Sequence, residues 1–470
     1  MARERLSPLD ASFLYLDGPV TCNQAVALNI VDGEIDFPRL REEMQRKLRD
    51  YTRLRQCVVF SPLNLFRPTW ELDPRFDIDN HVILHRIESP YSEAIFREKV
   101  EEIFLRKFDR SHPLWAVHVI QGLPDGRSAQ LTVIHHSLSD GVGFAKLASA
   151  FFDIEPAPRL DEWKPEHVPA LPSGWRRLWD GTVDAVMSWV PSEKWRLLQT
   201  LKMYRQFFSG RAREARAQLK RFRRAPAIRF PFNTPLSGTA SYTQTKCSME
   251  EIARIRSRRG GTVNDVLLTL VTSAVARYAT NAGIPVDETY LRILVPSNVR
   301  SDENRNEMGN FVSMAPVIAP LGSMPAAERL AKIQAYTAEM KACGLAQLTS
   351  MTIGLSQSVL PPALSKHLHG LFVSRWMQRV TNKPTTPPPF NIVVTNVPGA
   401  PVSTFVAGKR ITDVSVLVPL LPSIGLVCGA LSHDGMLYVT FTADRALLPD
   451  VELLSGYVDE TIAELLNIGN

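Results

Sequence analysis

A chain of 470 residues, 45% of them hydrophobic, carries more apolar material than one ordinary core holds, so two domains are expected. The net charge of +6 is local. Between Leu201 and Phe230 ten cations face one acid, Glu214, and the rest of the chain is slightly acidic, which argues against a generally basic, nucleic-acid-coating protein. The five cysteines (Cys22, Cys57, Cys247, Cys343, Cys428) are scattered without CxxC spacing, which excludes a disulfide framework or a cysteine zinc site and points to reduced thiols in a cytoplasmic setting.

The chain opens Met-Ala-Arg-Glu-Arg-Leu-Ser-Pro, mixing acid and base with no apolar run, so no signal peptide is expected. Pro113-Leu114-Trp115 precedes a strand, and Trp115 reads as a large apolar anchor in the core. Gln130-Leu131-Thr132-Val133-Ile134 alternates with the period of a half-buried strand. His135 and His136 fall where that strand ends. Ser137-Leu138-Ser139-Asp140-Gly141 then reads as a turn, and Val142 to Phe152 as a helix with Phe144, Leu147, Ala148 and Phe151 on one face.

Imidazole titrates nearest neutral pH, and a histidine at a strand end is well placed to take a proton from a hydroxyl. Adjacent strand residues point to opposite faces, so only one of the pair enters a given cleft. The spacing to Asp140 favours His136, leaving His135 to shape the site or to sit satisfied in the core.

Glu155 to Leu171, rich in proline and charge, reads as a linker. Beyond Gly174, the apolar positions Trp175, Leu178, Trp179, Val183, Val186, Trp189 and Val190 recur at helical spacing. A second helix is expected from Ser192 to Gly210, and the basic run follows it. Tryptophans beside clustered arginines describe either a surface anchor on a lipid membrane or an interdomain helical hairpin packed on the core. No nucleic-acid-binding motif accompanies the charge.

The second half, from about Ser237, reads as mixed α/β. Thr262 with Asp265 has the form of a capping box opening an apolar helix to Tyr278, which gives Asn264-Asp265 a structural reading. Strands are expected at Leu291–Val295, Phe311–Ile318, Asn391–Thr395 and Leu437–Thr442. Turns are expected at Gly309-Asn310 and at Asn396-Val397-Pro398-Gly399, with a proline-rich loop at Thr381–Pro389. Val414 to Ser432 carries no charge and is long enough to span a bilayer, but Pro419, Pro422, Gly425 and Gly429 interrupt it. Two buried strands around a Pro-Leu-Leu-Pro turn are expected there, and no transmembrane helix.

The segment His135-His136-Ser137-Leu138-Ser139-Asp140-Gly141 resembles the HHxxxDG motif of the bacterial wax ester synthase/diacylglycerol acyltransferase family. Further family-like stretches follow in order: Leu6-Ser7-Pro8-Leu9-Asp10, Pro113-Leu114-Trp115, Asn264-Asp265, Leu294 to Arg300, Gly309-Asn310, Asn396-Val397-Pro398-Gly399 and Ala443-Asp444-Arg445. The chain departs from the family pattern at Ala400, where proline is usual, and at Ser297-Asn298; both bear on acceptor preference.

The resemblance implies an α/β fold (α+β mixed) of two chloramphenicol-acetyltransferase-like domains facing each other across a central tunnel. A helical crossover joins them, with boundaries at residues 1–153, 154–235 and 236–470. It implies O-acyl transfer from a long-chain acyl-CoA to diacylglycerol or a long-chain alcohol, without acyl-enzyme, metal or cofactor. His136 is the general base, with Asp140 and His135 beside it. Gly141, Pro113, Leu114, Trp115, Asn264, Asp265, Arg300 and Asn396 shape the site or bind substrate, Arg300 as a possible ion-pair partner of Asp140. Peripheral association with the inner face of a membrane or with lipid inclusions is expected. The alternatives are transfer to a sugar or polyketide hydroxyl, or a non-catalytic lipid-droplet-binding protein.

Overall fold

The computed structural model describes residues 4–138, 147, 150–158, 168, 170–183, 210–298, 312–345, 349, 361–383 and 386–467. In the first half these form β1 (Glu4–Arg5), α1 (Pro8–Tyr15), β2 (Gln24–Val31), α2 (Phe37–Lys47), β3 (Gln56–Val59), β4 (Thr69–Leu72), β5 (Val82–Arg86), α3 (Glu93–Leu105), β6 (Trp115–Gln121) and β7 (Ser128–His135). A helix over residues 174–183 and α4 (Gly210–Arg224) follow. The second half comprises β8 (Ser241–Ser248), α5 (Met249–Arg259), α6 (Val263–Asn281), β9 (Tyr290–Asn298), β10 (Val312–Pro320), α7 (Ala326–Ala342), α8 (Pro362–Val373) and α9 (Arg375–Thr381). It closes with β11 (Ile392–Pro398), β12 (Phe405–Val406), β13 (Lys409–Leu417), β14 (Leu426–His433), β15 (Met436–Ala443) and α10 (Glu452–Asn467).

Two large sheets organise these elements, in the orders β12-β13-β2-β7-β6-β5 and β10-β9-β11-β14-β15-β8, with a small β1-β4-β3 sheet beside the first. The first sheet is covered on both faces. Phe96, Val100 and Phe104 of α3 pack on one side, while Leu40 and Met44 of α2, with Leu147 and Phe151, join the core on the other. In consequence β7 is buried along its whole length, more than the half-buried strand its alternation suggests. Its buried Gln130 is bonded at both ends of the amide: Asn29 donates to Gln130 Oε1 at 3.0 Å, and Gln130 donates to the Phe151 carbonyl at 3.0 Å. In the second domain the apolar helix α6 lies against the sheet with α7 and α10 around it.

The uncharged stretch from Val414 to Ser432 does form two strands, and they belong to different sheets. β13 pairs antiparallel with β2 in the first sheet, while β14 pairs parallel with β11 in the second. A division at Pro235 therefore misses one exchange: Phe405–Leu417 lies late in the chain but completes the first sheet. Pairing with β2 satisfies the open edge of that strand, a tertiary requirement that no local pattern records. Leu420 and Ile424, between the two strands, pack with Leu236, Leu294, Val393 and Val427.

Two further expectations are corrected. Asn396-Val397-Pro398 continues β11, pairing with Ala430 to Ser432, and is not a turn. Gly399 has no positive φ; it is needed because a Cβ there would collide with the Ser432 carbonyl. Gly210 lies in helix α4, where it was expected to follow a helix C-terminus. The basic face of α4 is solvated, while Ala215 and Phe222 are buried in the second core and Arg221 pairs with Glu339 at 2.7 Å. By contrast Trp175 and Trp179 on the 174–183 helix are 84% and 69% exposed. Val186, Trp189, Val190, the Ser192–Gly210 expectation short of its last residue, and the Gly309-Asn310 turn lie outside the described residues.

Candidate active site

The Leu6-Ser7-Pro8-Leu9-Asp10 stretch builds the site's first support. Ser7 caps α1 by accepting from Asp10 N at 3.0 Å, Asp10 accepts in return from Ser7 N, and Pro8 occupies the first turn, where its missing N–H costs nothing. The helix so started carries Phe13 and ends just before Asp17. Strand β7 delivers His135 opposite Gln24, and His136 N–H then donates to Asn23 O at 2.8 Å.

The two histidines diverge at this point. His135 is buried and has both nitrogens engaged. Ser137 N–H donates to Nδ1 at 3.1 Å, and Nε2 lies 3.1 Å from Asp17 Oδ2. An Nδ1 that accepts from a backbone amide places the proton of the neutral ring on Nε2, where Asp17 receives it. Ser137 Oγ lies 2.8 Å from the same Nδ1. His136 is half-buried, its ring stacked on Phe13 with centroids 5.2 Å apart and planes 23° from parallel.

Asp17 is the centre of this support. Its Oδ1 accepts from Asn23 N at 2.9 Å and from Asn23 Nδ2 at 3.0 Å, and its Oδ2 receives Arg110 Nη2 at 3.0 Å in addition to His135. Burial by itself would raise the Asp17 pKa, but the hydrogen bond with His135, the Asn23 amide and the Arg110 guanidinium together hold it well below the usual carboxylate range. Asp17 was missed in the sequence because Leu16-Asp17-Gly18-Pro19 looks like any polar turn. Arg110 carries no local signal of this role, since its bond to the Leu14 carbonyl at 2.8 Å and its pairing with Asp17 are long-range.

Of the remaining sequence candidates, Pro113, Leu114 and Trp115 are buried. Trp115 donates from Nε1 to Leu54 O at 2.7 Å and stacks on His81 at 4.6 Å, and the Leu114 carbonyl receives His135 N–H at 3.0 Å. This triplet therefore braces the histidine strand through backbone and core. Asn264 and Asn396, 132 residues apart, meet: Asn396 Nδ2 donates to Asn264 Oδ1 at 2.7 Å. Asp265 is turned inward. Its Oδ2 receives Thr262 N and Oγ1, each at 2.8 Å, and its Oδ1 receives Thr337 Oγ1 at 2.7 Å. Asp140, Gly141 and Arg300 lie outside the described residues.

A narrow crevice opens beside this constellation at the start of β2, lined by Val20, Cys22 and Phe104 from the first half and by Leu236, Leu420 and Asp444 from the second. Burial, with the Asp17 charge behind it, pushes the Cys22 thiol up to about 12, so it stands there as a neutral apolar wall.

Two sheet-bearing domains, the first with a histidine pair at the end of β7, define a two-domain α/β architecture. The sequence pattern of the wax ester synthase/diacylglycerol acyltransferase catalytic domain matches residues 6–267, and that of the WS/DGAT C-terminal domain matches residues 308–466. The chain belongs to this family and is an acyltransferase. A relative from Mycobacterium tuberculosis, named as a candidate diacylglycerol O-acyltransferase, is 31% identical over 410 residues, covering 84% of this chain and 82% of its own. Among solved structures, the wax ester synthase/diacylglycerol acyltransferase from Marinobacter aquaeolei VT8 superposes with a TM-score of 0.65 at 20% identity, over 98% of both chains. The starter condensation domain of rhizomide synthetase, solved with C8-CoA and Leu-SNAC, has a TM-score of 0.54 at 15% identity, over 99% of this chain and 94% of that one. At these identities both structures speak for the fold.

Proposed function

We propose that the protein transfers a long-chain fatty acyl group from acyl-CoA to the hydroxyl of diacylglycerol, of a long-chain alcohol, or of both, with His136 as general base. The observation that carries the assignment to His136 is the commitment of both His135 nitrogens to Ser137 and Asp17. A ring so held has no nitrogen to offer a substrate, and its neighbour stands at the strand end.

An alcohol attacks a thioester slowly because its proton must leave as the new C–O bond forms. His136 takes that proton. The oxygen adds to the acyl carbonyl, the tetrahedral intermediate collapses with cleavage of the C–S bond, and His136 returns the proton to the departing CoA thiolate. The transfer proceeds directly between the two substrates, with no acyl-enzyme. Phe13 holds the plane of the ring and Asp17 anchors the residue before it, and the family pattern assigns Asp140 to the same site. Such acceptors do not dissolve in water, so the enzyme works in peripheral association with a lipid surface, the membrane's inner face or a lipid inclusion.

The test is incubation of purified protein with palmitoyl-CoA and either dioleoylglycerol or hexadecanol, following thiol release and lipid product together. His136→Ala is expected to lower turnover by at least about 10²–10⁴-fold, the usual contribution of a general base. Absence of product from both acceptors with folded wild-type protein would shift the reading to another hydroxyl acceptor or to a non-catalytic lipid coat.

A further inference from the structure

Helix α8 faces the wrong way for a helix of a water-soluble domain. Its inner stripe, Ser365, His369 and Val373, sits against the first domain: the His369 ring is 6.1 Å from that of Tyr15, and Val373 lies against Gly18. Its outer stripe is Leu364, Leu368, Leu371 and Phe372, all exposed. Spacing of three and four residues places these on one face, where an ordinary surface helix carries charge. The next helix, α9, continues the pattern with Trp376, 63% exposed, and Val380.

The neighbouring loop repeats it. Leu63 is 81% exposed although its φ of 54° holds it in the left-handed region that bulky side chains avoid, and Leu65 is exposed beside it. Helix α8 packs on this loop, with Lys366 Nζ 5.6 Å from the Phe60 ring. From the other side Arg177, on the helix that exposes Trp175 and Trp179, donates to the Phe60 carbonyl at 2.8 Å. Apolar side chains from three segments thus flank one loop.

Charge identifies the occupant. The sequence holds no Asp or Glu between Glu339 and Asp413, while Lys366, Arg379 and Lys383 stand exposed among the apolar residues of α8, α9 and the segment after them. Cations interspersed with an exposed Trp/Phe/Leu face match the interface of an anionic bilayer, where rings and leucines enter the acyl boundary and ammonium groups meet phosphates. We propose that α8, α9 and the Leu63 loop form the surface by which the enzyme docks on an anionic phospholipid membrane. This rests on the lipid-acceptor reading above and assigns the anchor to a place other than the basic helix α4, whose apolar side is already buried. The location has a consequence for the reaction. Helix α8 packs on α1, and α1 carries the Phe13 that stacks on His136, so the docked membrane lies about two helix diameters, ~20 Å, from the base.

The experiment is flotation of the full-length protein with vesicles of phosphatidylcholine alone or with about a third phosphatidylglycerol. Wild type is expected to bind the anionic vesicles at least about tenfold more tightly. Leu368→Glu/Phe372→Glu is expected to abolish binding. Lys366→Glu/Arg379→Glu/Lys383→Glu is expected to weaken it on the order of a hundredfold, at roughly fivefold per cation. Lys220→Glu/Arg224→Glu on α4 is expected to bind as wild type. Thermal unfolding, and thiol release with a water-soluble short-chain alcohol, establish that each variant is folded. The proposal is overturned if wild type ignores both vesicles or binds them equally, if the α4 variant alone loses binding, or if the α8 variant converts a wild-type dimer to monomer without affecting binding. Failure of the acyl-transfer reading shows separately, as no thiol release with any acceptor while flotation is unchanged.

Discussion

His135 and His136 are neighbours in the chain with different chemistry in the fold, and the difference comes from partners that lie far away in sequence. Asp17 is the most consequential. Its folded pKa is depressed, so it contributes stability that is present above its unfolded value near 3.9 and is lost as pH falls toward the folded one. Asp17→Asn removes the charge facing Arg110 and places an amide against donors. It is expected to cost about 2–4 kcal/mol at pH 7 by urea unfolding, and to lower kcat by more than it changes the KM for acyl-CoA. A second buried pair acts in the same direction, in a higher pH window. Burial pushes His118 down to about 3, with the charges of His85 and Arg106 adding to it, and His85 Nε2 lies 2.9 Å from His118 Nδ1. Between about pH 6.5 and 3 the unfolded chain takes up a proton that folded His118 refuses, so acidification through this window favours unfolding. His118→Gln is expected to flatten the loss of stability between pH 7 and 5, measured by urea midpoints; an unchanged slope would reject the assignment.

At the level of elements, short motifs turn out to be helix starts, strand ends and close approaches. Leu6 to Asp10 is a capping box and Thr262 to Asp265 is another; the second was read as one from the sequence because capping chemistry is local, while the first entered only as a family-like stretch. The meeting of Asn264 with Asn396 was not legible, since it depends on α6 and β11 lying side by side. The Asn264→Ala and Asn396→Ala changes are expected to couple by about 0.5–1.5 kcal/mol in a double-mutant cycle, and additive stabilities would show the contact to be incidental. The turn reading of Asn396 to Gly399 failed for a physical reason: asparagine and glycine permit positive φ without requiring it, and here glycine serves the backbone of β14 instead. Gly399→Ala is expected to cost about 1–3 kcal/mol by pushing β11 from β14, checked by thermal unfolding.

In the whole molecule, β13 ties the second half of the chain to the first sheet. Residues 1–235 expressed alone would leave the β2 edge unpaired and the buried faces of Val31 and Leu28 without Ile411, Val414 and Leu417. That fragment is expected to show no cooperative unfolding transition, whereas the intact chain unfolds cooperatively; a folded, monomeric fragment would refute the dependence. The same exchange puts Leu420 and Asp444 from the second half on the cleft that Cys22 and Phe104 line from the first.

The amino-acid sequence alone determined the two-domain α/β plan, the strand that ends in two histidines, the capped helices and the family, because hydrophobic period, turn chemistry and capping act over a few residues. The tertiary structure decided which histidine is committed, through Asp17 and Ser137. It also decided that the late strand β13 completes the first sheet, and that α8 turns its leucines outward while α4 buries its apolar side. Each of these rests on contacts between segments tens to hundreds of residues apart, where burial and hydrogen bonding are settled only when the whole chain packs.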